Sequence, residues 1–172
     1  MSEQRSGMFV SDPVLRKLAF TTVWGFLALG FGSGLFRKAP GTAGTVVAIP
    51  FALALLTIPT LLSLLIVLSL FVVGVPLCRV TETALGQSDP GSIVWDEIVG
   101  FLLVAILVPA GWPWLLGAFV AFRFFDIVKP WPIRWFEKRL SGGFGIMFDD
   151  AVAALYSVVL LWLAEVLVSG VS

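Results

Sequence analysis

The stretch SIVWDEIVG (Ser92–Gly100) runs directly into the apolar run FLLVAILVP (Phe101–Pro109). Two adjacent carboxylates, Asp96 and Glu97, therefore stand at the start of a segment that is otherwise apolar enough to enter a lipid bilayer. Ionisable side chains within a membrane helix are costly, and by default they mark a functional interior. The stretch predicts a membrane helix whose mouth carries part of a polar site.

The composition of the whole chain also indicates a membrane protein. Of its 172 residues, 59% are hydrophobic and 13% are charged, and this charged share is about half that of a soluble domain. The length suits one domain, and the net charge of zero argues against a nucleic-acid partner. The chain has no histidine and one cysteine, Cys78, which excludes imidazole chemistry, an intramolecular disulfide and a multi-cysteine metal site.

Six apolar segments predict an all-α fold, a polytopic membrane helical bundle. A spanning helix needs roughly 20 residues, with about 17 as the lower limit. Apart from the glycine-broken first segment, two segments reach that limit, a third nearly does, and two more share their length across the turn PAGWPW (Pro109–Trp114). We therefore expect about four to five spanning helices. The six segments are Leu18–Leu35, Ala43–Ile58, Leu61–Cys78, Ile98–Val108, Leu115–Val128 and Ala151–Val168.

The basic residues predict the orientation of the bundle. Two helical hairpins, turning at Pro59 and at Pro109–Trp114, place the flanking basic residues on one side, which is the cytoplasm by the positive-inside bias. A full crossing by Leu18–Leu35 would leave the preceding basic residues outside, so we expect this glycine-broken segment to be re-entrant or interfacial. The predicted organisation is an N-terminal cytoplasmic extension, residues 1–19, followed by a single membrane-embedded domain, residues 20–172.

Carboxylates from three separate segments fall on this predicted cytoplasmic face, and two adjacent pairs of them stand at predicted helix starts. Helix capping explains one acid of each pair, but not both. Because no histidine or cysteine cluster accompanies them, they favour a hard cation with oxygen ligands, and Mg²⁺ is the first choice. The predicted metal ligands and catalytic residues are Asp96, Glu97, Asp126, Asp149 and Asp150.

Anion-binding groups are predicted close to these carboxylates. GFGSGL (Gly30–Leu35) and PGTAGT (Pro40–Thr45) combine glycines, hydroxyls and a helix start, where backbone N–H groups attract anions. Close packing of small residues in a membrane is the alternative explanation. Arg123 lies three residues before Asp126, so a local salt bridge explains it nearly as well as a catalytic role. The predicted substrate- and phosphate-binding residues are Ser33, Gly41, Thr42, Thr45, Arg123 and Lys129.

Together these groups predict phosphoryl chemistry on a lipid headgroup. A divalent metal would polarise the phosphate and position a water, and a cationic side chain would stabilise charge on the phosphoryl oxygens. The chain lacks the motifs of cysteine, histidine and aspartyl-phosphate phosphatases, which favours direct attack by water. Two other classes remain open. A small ion or solute transporter would want its acids near mid-membrane, and a structural subunit would not need five clustered carboxylates.

Four motifs, in this order, resemble the phosphatidylglycerophosphatase A family of bacterial inner-membrane lipid phosphatases. The resemblance covers the chain from roughly Phe26 to its end. The motifs are GFGSGL with PGTAGT, GSIVWDEIVG (Gly91–Gly100), FRFFDIVKPWPIRWFE (Phe122–Glu137) and GGFGIMFDD (Gly142–Asp150).

The resemblance implies magnesium-dependent hydrolysis of phosphatidylglycerophosphate to phosphatidylglycerol and phosphate, as a step of phospholipid biosynthesis. It implies a mostly helical enzyme of the bacterial inner membrane with its site facing the cytoplasm, and the five acids match the acidic motif positions of the family. The expected partners are the phospholipid substrate and membrane lipids, and a homo-oligomer is compatible with the sequence. A phosphatase of another lipid phosphate, such as phosphatidic acid, is the alternative.

Overall fold

The structure, a computed structural model, describes residues 12–170. Its regular elements within that range are eight α-helices and one 3₁₀ turn, and no β-strand occurs there. The predicted all-α class is confirmed for this part of the chain. The elements are α1 (Pro13–Thr21), α2 (Val23–Ala28), the 3₁₀ turn (Gly30–Leu35), α3 (Pro40–Leu55), α4 (Thr60–Leu85), α5 (Trp95–Leu107), α6 (Trp112–Val128), α7 (Ile133–Glu137) and α8 (Gly142–Ser169).

Within residues 12–170, two helices are long and apolar enough to cross a membrane. α4 has 26 residues and α8 has 28, which at about 1.5 Å per residue exceeds the ~30 Å hydrocarbon core of a bilayer. Apolar side chains such as Leu61 and Val159 are 70% and 60% exposed on these helices, as expected of a surface that faces lipid. α3, α5 and α6 have 16, 13 and 17 residues, so the expected total of four to five spanning helices stays a prediction.

α5 lies at the centre of the bundle. It packs against α3, α4, α6 and α8, and its side chains are buried on every face, with Phe101 and Val104 fully enclosed. A helix that is apolar all round belongs in a core, since it has no face suited to water. Because its first turn is enclosed in the same way, Asp96 and Glu97 are drawn into the interior of the protein.

Glycines allow the helices around α5 to approach closely. A Cβ atom at Gly143 of α8 would collide with the carbonyl of Val75 in α4, and one at Gly100 would lie 2.7 Å from the ring of Phe122. The expectation that Asp149 and Asp150 open the last helix is wrong. α8 begins at Gly142, and Gly143 is a contact point with α4 within the helix rather than part of a turn before it.

The N-terminal apolar segment Leu18–Leu35 is divided among α1, α2 and the 3₁₀ turn. Phe31 and Gly32 take left-handed backbone angles, with φ of 59° and 94°, which ends regular helix there. No piece approaches 17 residues, which agrees with the expectation that the segment does not cross as one helix. Residues 1–11 of the predicted extension lie outside the described range. α1 packs on α2, and the boundary at residue 19 stays a prediction.

Candidate active site

Three carboxylates from two helices meet at one end of the bundle. Asp96 and Glu97 lie in the first turn of α5, and Asp150 lies just over two turns into α8. One oxygen atom of each lies within 4.8 Å of an oxygen of the other two. The N-cap of α5 is Val94, and no side chain caps that helix. Hydrogen-bonded capping therefore does not explain Asp96 and Glu97, although both lie in the first turn of α5, where acids complement the helix dipole.

These carboxylates are buried, and part of their hydrogen-bonding capacity is unused. Asp96 and Asp150 are 8% and 3% exposed, and the side chain of Glu97 is 13% exposed. Among residues 12–170, no N–H or O–H group donates to Asp96 Oδ1, Glu97 Oε2 or Asp150 Oδ2. Buried carboxylate oxygens without a donor are strongly destabilising, and in native proteins they indicate an ion or a functional role.

The three carboxylates fit a hard divalent cation. Mg²⁺ takes oxygen ligands, is held by one or a few carboxylates, and keeps waters and substrate phosphate in its remaining positions. Asp96, Glu97 and Asp150 supply such ligands from a rigid core, while within the described part of the chain no nitrogen or sulfur ligand joins them. The structure brings three of the five predicted ligands into this group.

Arg123 of α6 lies beside the group. Its Nη1 is 2.8 Å from Asp126 Oδ2 and 3.8 Å from Glu97 Oε1. Asp126 in turn is a neighbour of Asp150. The Nε atom of Arg123 is buried and has no acceptor among the described residues. The local salt bridge considered from the sequence exists, but it is also part of the polar cluster, so the two explanations are not exclusive.

Asp149 occupies a different environment from Asp150. Lys129, the residue that ends α6, places its Nζ 2.5 Å from Asp149 Oδ2 and 2.8 Å from Glu137 Oε1, and Asp149 Oδ1 accepts from the backbone N–H of Asp150 at 3.2 Å. Burial alone would lower the pKa of Lys129, but the carboxylates of Asp149 and Glu137 raise it above its ordinary value. Lys129 is thus a permanent cation that holds Asp149.

The N-terminus of α3 abuts the carboxylates. A Cβ atom at Gly41 would collide with Glu97 Oε1 and lie 2.9 Å from Arg123 Nη2. Ser33 and Thr45 are buried, and their hydroxyls donate to the carbonyls of Gly30 and Gly41, at 2.8 and 2.9 Å. Thr42 is half-buried in the first turn of α3. Of the predicted anion-binding residues, Gly41 and Arg123 contact the carboxylate group, and the binding role of all six stays a prediction.

The contact at Gly41 leads to a prediction. Gly41→Ala is expected to lower activity about tenfold or more, because the added methyl must displace Glu97 or Arg123 by about 1 Å, a shift of the kind that costs as much as 10²-fold when reacting groups lose alignment. Activity of the purified variant, with circular dichroism to confirm the helical content, measures this. Gly91→Ala is the control, since nothing lies within 4 Å of a Cβ atom there. Equal activities of the two variants would contradict the prediction.

Comparisons with known proteins show which family the chain belongs to. The sequence profile of the family Phosphatidylglycerophosphatase A matches residues 26–165. The chain is 45% identical over 150 residues to phosphatidylglycerophosphatase A of Haemophilus influenzae, covering 86% of this chain and 92% of that protein. It is 43% identical over 152 residues to phosphatidylglycerophosphatase A of Escherichia coli, covering 88% of each. The chain belongs to the phosphatidylglycerophosphatase A family.

Membership of the phosphatidylglycerophosphatase A family confirms the predicted class of enzyme, a lipid phosphatase. The chain is also 37% identical over 148 residues to a Bacteroides thetaiotaomicron protein provisionally named phosphatidylinositol-3-phosphatase, covering 81% of this chain and 91% of that protein. No solved structure matches the chain significantly. All the candidate site residues lie within the range matched by the family, whereas α1 lies before it.

The structure adds two acids that the sequence reasoning missed. A polar cavity of about 360 Å³ lies against Asp149 in this member of the phosphatidylglycerophosphatase A family, and Glu82 and Asp89 line it together with Glu137. Glu82 Oε1 accepts from the backbone N–H of Asp89 at 3.1 Å, and burial raises the pKa of Asp89. The signal available in the sequence was their position: Glu82 lies near the end of α4 and Asp89 in the loop that leads to Asp96.

Proposed function

We propose that this protein hydrolyses phosphatidylglycerophosphate to phosphatidylglycerol and inorganic phosphate in a magnesium-dependent reaction. The observation that carries the proposal is the buried group of Asp96, Glu97 and Asp150, whose oxygens lack donors and lie beside Arg123. A hard cation and an arginine together suit an anionic phosphate group, such as that of a phosphate monoester. The choice of phosphatidylglycerophosphate as the substrate comes from the names of the Haemophilus and Escherichia relatives.

Magnesium would be held by Asp96, Glu97 and Asp150, and when bound it would polarise the phosphoryl oxygens and lower the pKa of a coordinated water. Asp149 is the weaker candidate ligand, because Lys129 and a backbone N–H already engage its two oxygens. Asp126 is engaged with Arg123 and lies next to Asp150. Its role would be to orient the arginine and the carboxylate group.

The protein's own groups would bind and orient the phosphate. Arg123 has a free, buried Nε with which to donate to a phosphoryl oxygen, and the first turn of α3 at Gly41 lies within contact of the same space. A water oxygen would attack phosphorus, its proton would pass to a carboxylate of the cluster, and the ester P–O bond would break as the glycerol oxygen takes up a proton. Cys78 is fully buried and its Sγ contacts Met147, which disfavours a covalent cysteine intermediate.

The activity assay tests the proposed function directly. Purified protein in detergent is expected to release phosphate from phosphatidylglycerophosphate, to stop when a chelator removes divalent cations, and to recover when Mg²⁺ is added in excess. The measurement is phosphate release against time at fixed surface concentration of the lipid. Undiminished hydrolysis after exhaustive chelation would refute the magnesium requirement, and absence of any phosphate release with Mg²⁺ present would refute the proposed function.

The proposed location is the bacterial inner membrane, with several crossings and the active site facing the cytoplasm. It is supported by the apolar length of α4 and α8 and by Lys129, which ties the basic segment after α6 to the end of the bundle that holds the carboxylates. Basic residues favour the cytoplasmic side.

Cysteine accessibility tests the orientation. Cys78 is fully buried, so a membrane-impermeant thiol reagent has little background to overcome. Lys138→Cys, at the carboxylate end, is expected to be labelled only after the membrane is opened. Trp112→Cys, at the start of α6 where the native side chain is 70% exposed, is expected to be labelled in intact spheroplasts. The reverse pattern would show that the site faces outward.

A phosphatase of a different lipid phosphomonoester is the second candidate function. The observation that favours it is the 37% identity to the Bacteroides protein, whose provisional name gives a phosphoinositide substrate. The carboxylates and Arg123 would recognise the phosphate and not the remainder of the headgroup. Comparing phosphatidylglycerophosphate, phosphatidic acid and phosphatidylinositol-3-phosphate as substrates in one assay separates the candidates by their kcat/KM values.

A further inference from the structure

We propose that the apolar cavity enclosed by α4, α5 and α8 binds an acyl chain of the lipid whose phosphate is hydrolysed. This inference rests on the proposed function in one respect, which is that the substrate is a lipid. It adds a binding subsite, distinct from the carboxylates, that distinguishes an acylated substrate from its free headgroup.

The cavity has the size and lining expected for a hydrocarbon chain. Its volume is about 260 Å³, and its walls consist of aliphatic and aromatic side chains, one methionine and one glycine. Apolar cavities in proteins hold apolar ligands rather than water, because water there finds no hydrogen-bonding partners. Lining residues from the three helices are Leu68, Phe71, Leu103, Phe144, Phe148 and Ala151.

One end of the cavity adjoins the carboxylates. Gly100 lines it one helical turn after Asp96, and a Cβ atom at Gly100 would lie 3.4 Å from the backbone carbonyl of Asp150. Ala151, the next residue of α8, lines it as well. On α5 the lining reaches Leu103, seven residues or about 10 Å along the helix from Asp96. On α8 it runs from Phe144 to Ala151, alongside Asp150. An apolar cavity thus lies beside the polar site, between α4, α5 and α8.

The cavity also opens to the outside of the bundle. Leu68 and Phe144 are lining residues and are 49% and 46% exposed. The opening therefore lies between α4 and α8, the two helices that are long and apolar enough to span a membrane. A lipid whose phosphate sits at the carboxylates carries its acyl chains in the same molecule, so it can reach this lateral opening without leaving the bilayer. Continuity between the two sites favours the substrate's own chain over an unrelated occupant.

The test compares an acylated substrate with the same headgroup lacking acyl chains. Ala151→Phe fills the cavity, and kcat/KM for dioleoyl phosphatidylglycerophosphate is expected to fall at least tenfold, roughly the effect of losing the burial of two methylene groups. For deacylated glycerophosphoglycerophosphate, kcat/KM is expected to change less than about twofold, because this substrate does not use the cavity. Equal losses for both substrates, or no loss for either, would overturn the proposal.

A second variant guards against a folding defect in the first. Leu68→Trp narrows the opening at a position that is already half exposed, and Val73→Trp is its matched control, since Val73 lies on the same helix with 48% exposure and does not line the cavity. Leu68→Trp is expected to reproduce the selective loss of the acylated substrate, and Val73→Trp to leave both substrates unchanged. Selective loss with Val73→Trp as well would assign the effect to general lipid packing and end the proposal.

A readout without turnover separates this proposal from the proposed function. A phosphatidic acid with a diazirine near the end of one acyl chain is crosslinked to the protein in detergent, and the labelled peptides are identified by mass spectrometry. Adducts are expected on the segments that contain Phe71, Leu103 and Phe148, and they should disappear in Ala151→Phe. Labelling confined to the outer faces of the helices would overturn the cavity assignment. Failure of the phosphatidylglycerophosphate assay alone would refute only the proposed identity of the substrate headgroup.

Discussion

Asp150→Asn is expected to lower phosphatase activity more than a hundredfold while raising the midpoint of thermal unfolding in the absence of divalent cations. Asp150 is 3% exposed, and its carboxylate lies within 4.8 Å of those of Asp96 and Glu97. Loss of a residue that only orients a metal ligand costs about 10–100-fold, so loss of a direct ligand should exceed that. The stability gain follows because a neutral amide replaces an acid whose ionisation is opposed by burial and by two neighbouring carboxylates.

The opposite signs of these two effects make the prediction specific. A merely structural carboxylate would lose stability on substitution, whereas a ligand held in place for function costs stability when its cation is absent. Mg²⁺ should raise the unfolding midpoint of the wild type and have a much smaller effect on Asp150→Asn, which differential scanning fluorimetry in detergent can measure. Glu165→Gln, near the other end of α8, is the control and should retain full activity. Wild-type turnover by Asp150→Asn would exclude Asp150 as a ligand.

Arg123→Ala is expected to abolish activity and to destabilise the fold by about 3–5 kcal/mol, the usual cost of removing one partner of a buried ion pair. Arg123 pairs with Asp126 at 2.8 Å and lies 3.8 Å from Glu97, and all three side chains are no more than 13% exposed. Without the guanidinium, two buried carboxylates next to Asp150 lose their cation. Since proteins are stable by only about 5–15 kcal/mol, reduced expression is an expected part of the result.

Arg123→Lys distinguishes the two contributions of this residue. It retains the charge, so most of the stability should return, but it lacks the planar fork that matches a phosphate, so activity should stay at least about tenfold below the wild type. Arg134→Ala on α7 is the control, because Arg134 is exposed and donates to the backbone carbonyl of Val128 at 3.1 Å, away from the carboxylates. If Arg123→Ala unfolded at the same temperature as the wild type, the ion pair would contribute nothing measurable to the stability of the fold.

Much of the helical layout could be predicted from the sequence, because apolar runs of a given length have few alternatives to helix in a membrane protein. The predicted segments Leu61–Cys78 and Leu115–Val128 lie inside α4 and α6. The predicted helix ends were less accurate than the predicted positions, since α4 continues beyond Cys78 through polar residues to Leu85. The apolar pattern ends where polar residues begin, but the backbone hydrogen bonds of the helix continue through those polar residues.

The division of labour among the five acids could not be predicted. In the sequence, Asp149 and Asp150 are adjacent and equivalent, yet they point to different partners because neighbours on a helix are about 100° apart. Asp150 faces Asp96 and Glu97, while Asp149 meets Lys129. Pro130 ends α6 at Lys129, which the sequence indicates, but which of the two acids meets Lys129 depends on how α6 packs against α8.

The amino-acid sequence by itself determined that this chain is helical, strongly apolar and a member of the phosphatidylglycerophosphatase A family, with its acids grouped in a few short motifs. These are properties of composition and local order, and they need no contact between distant residues. The tertiary structure alone decided that Asp96, Glu97 and Asp150 form one group, that Gly41 touches it, and that an apolar cavity begins beside it. Such contacts depend on helix packing, and packing is a collective result of side chains spread along the whole chain.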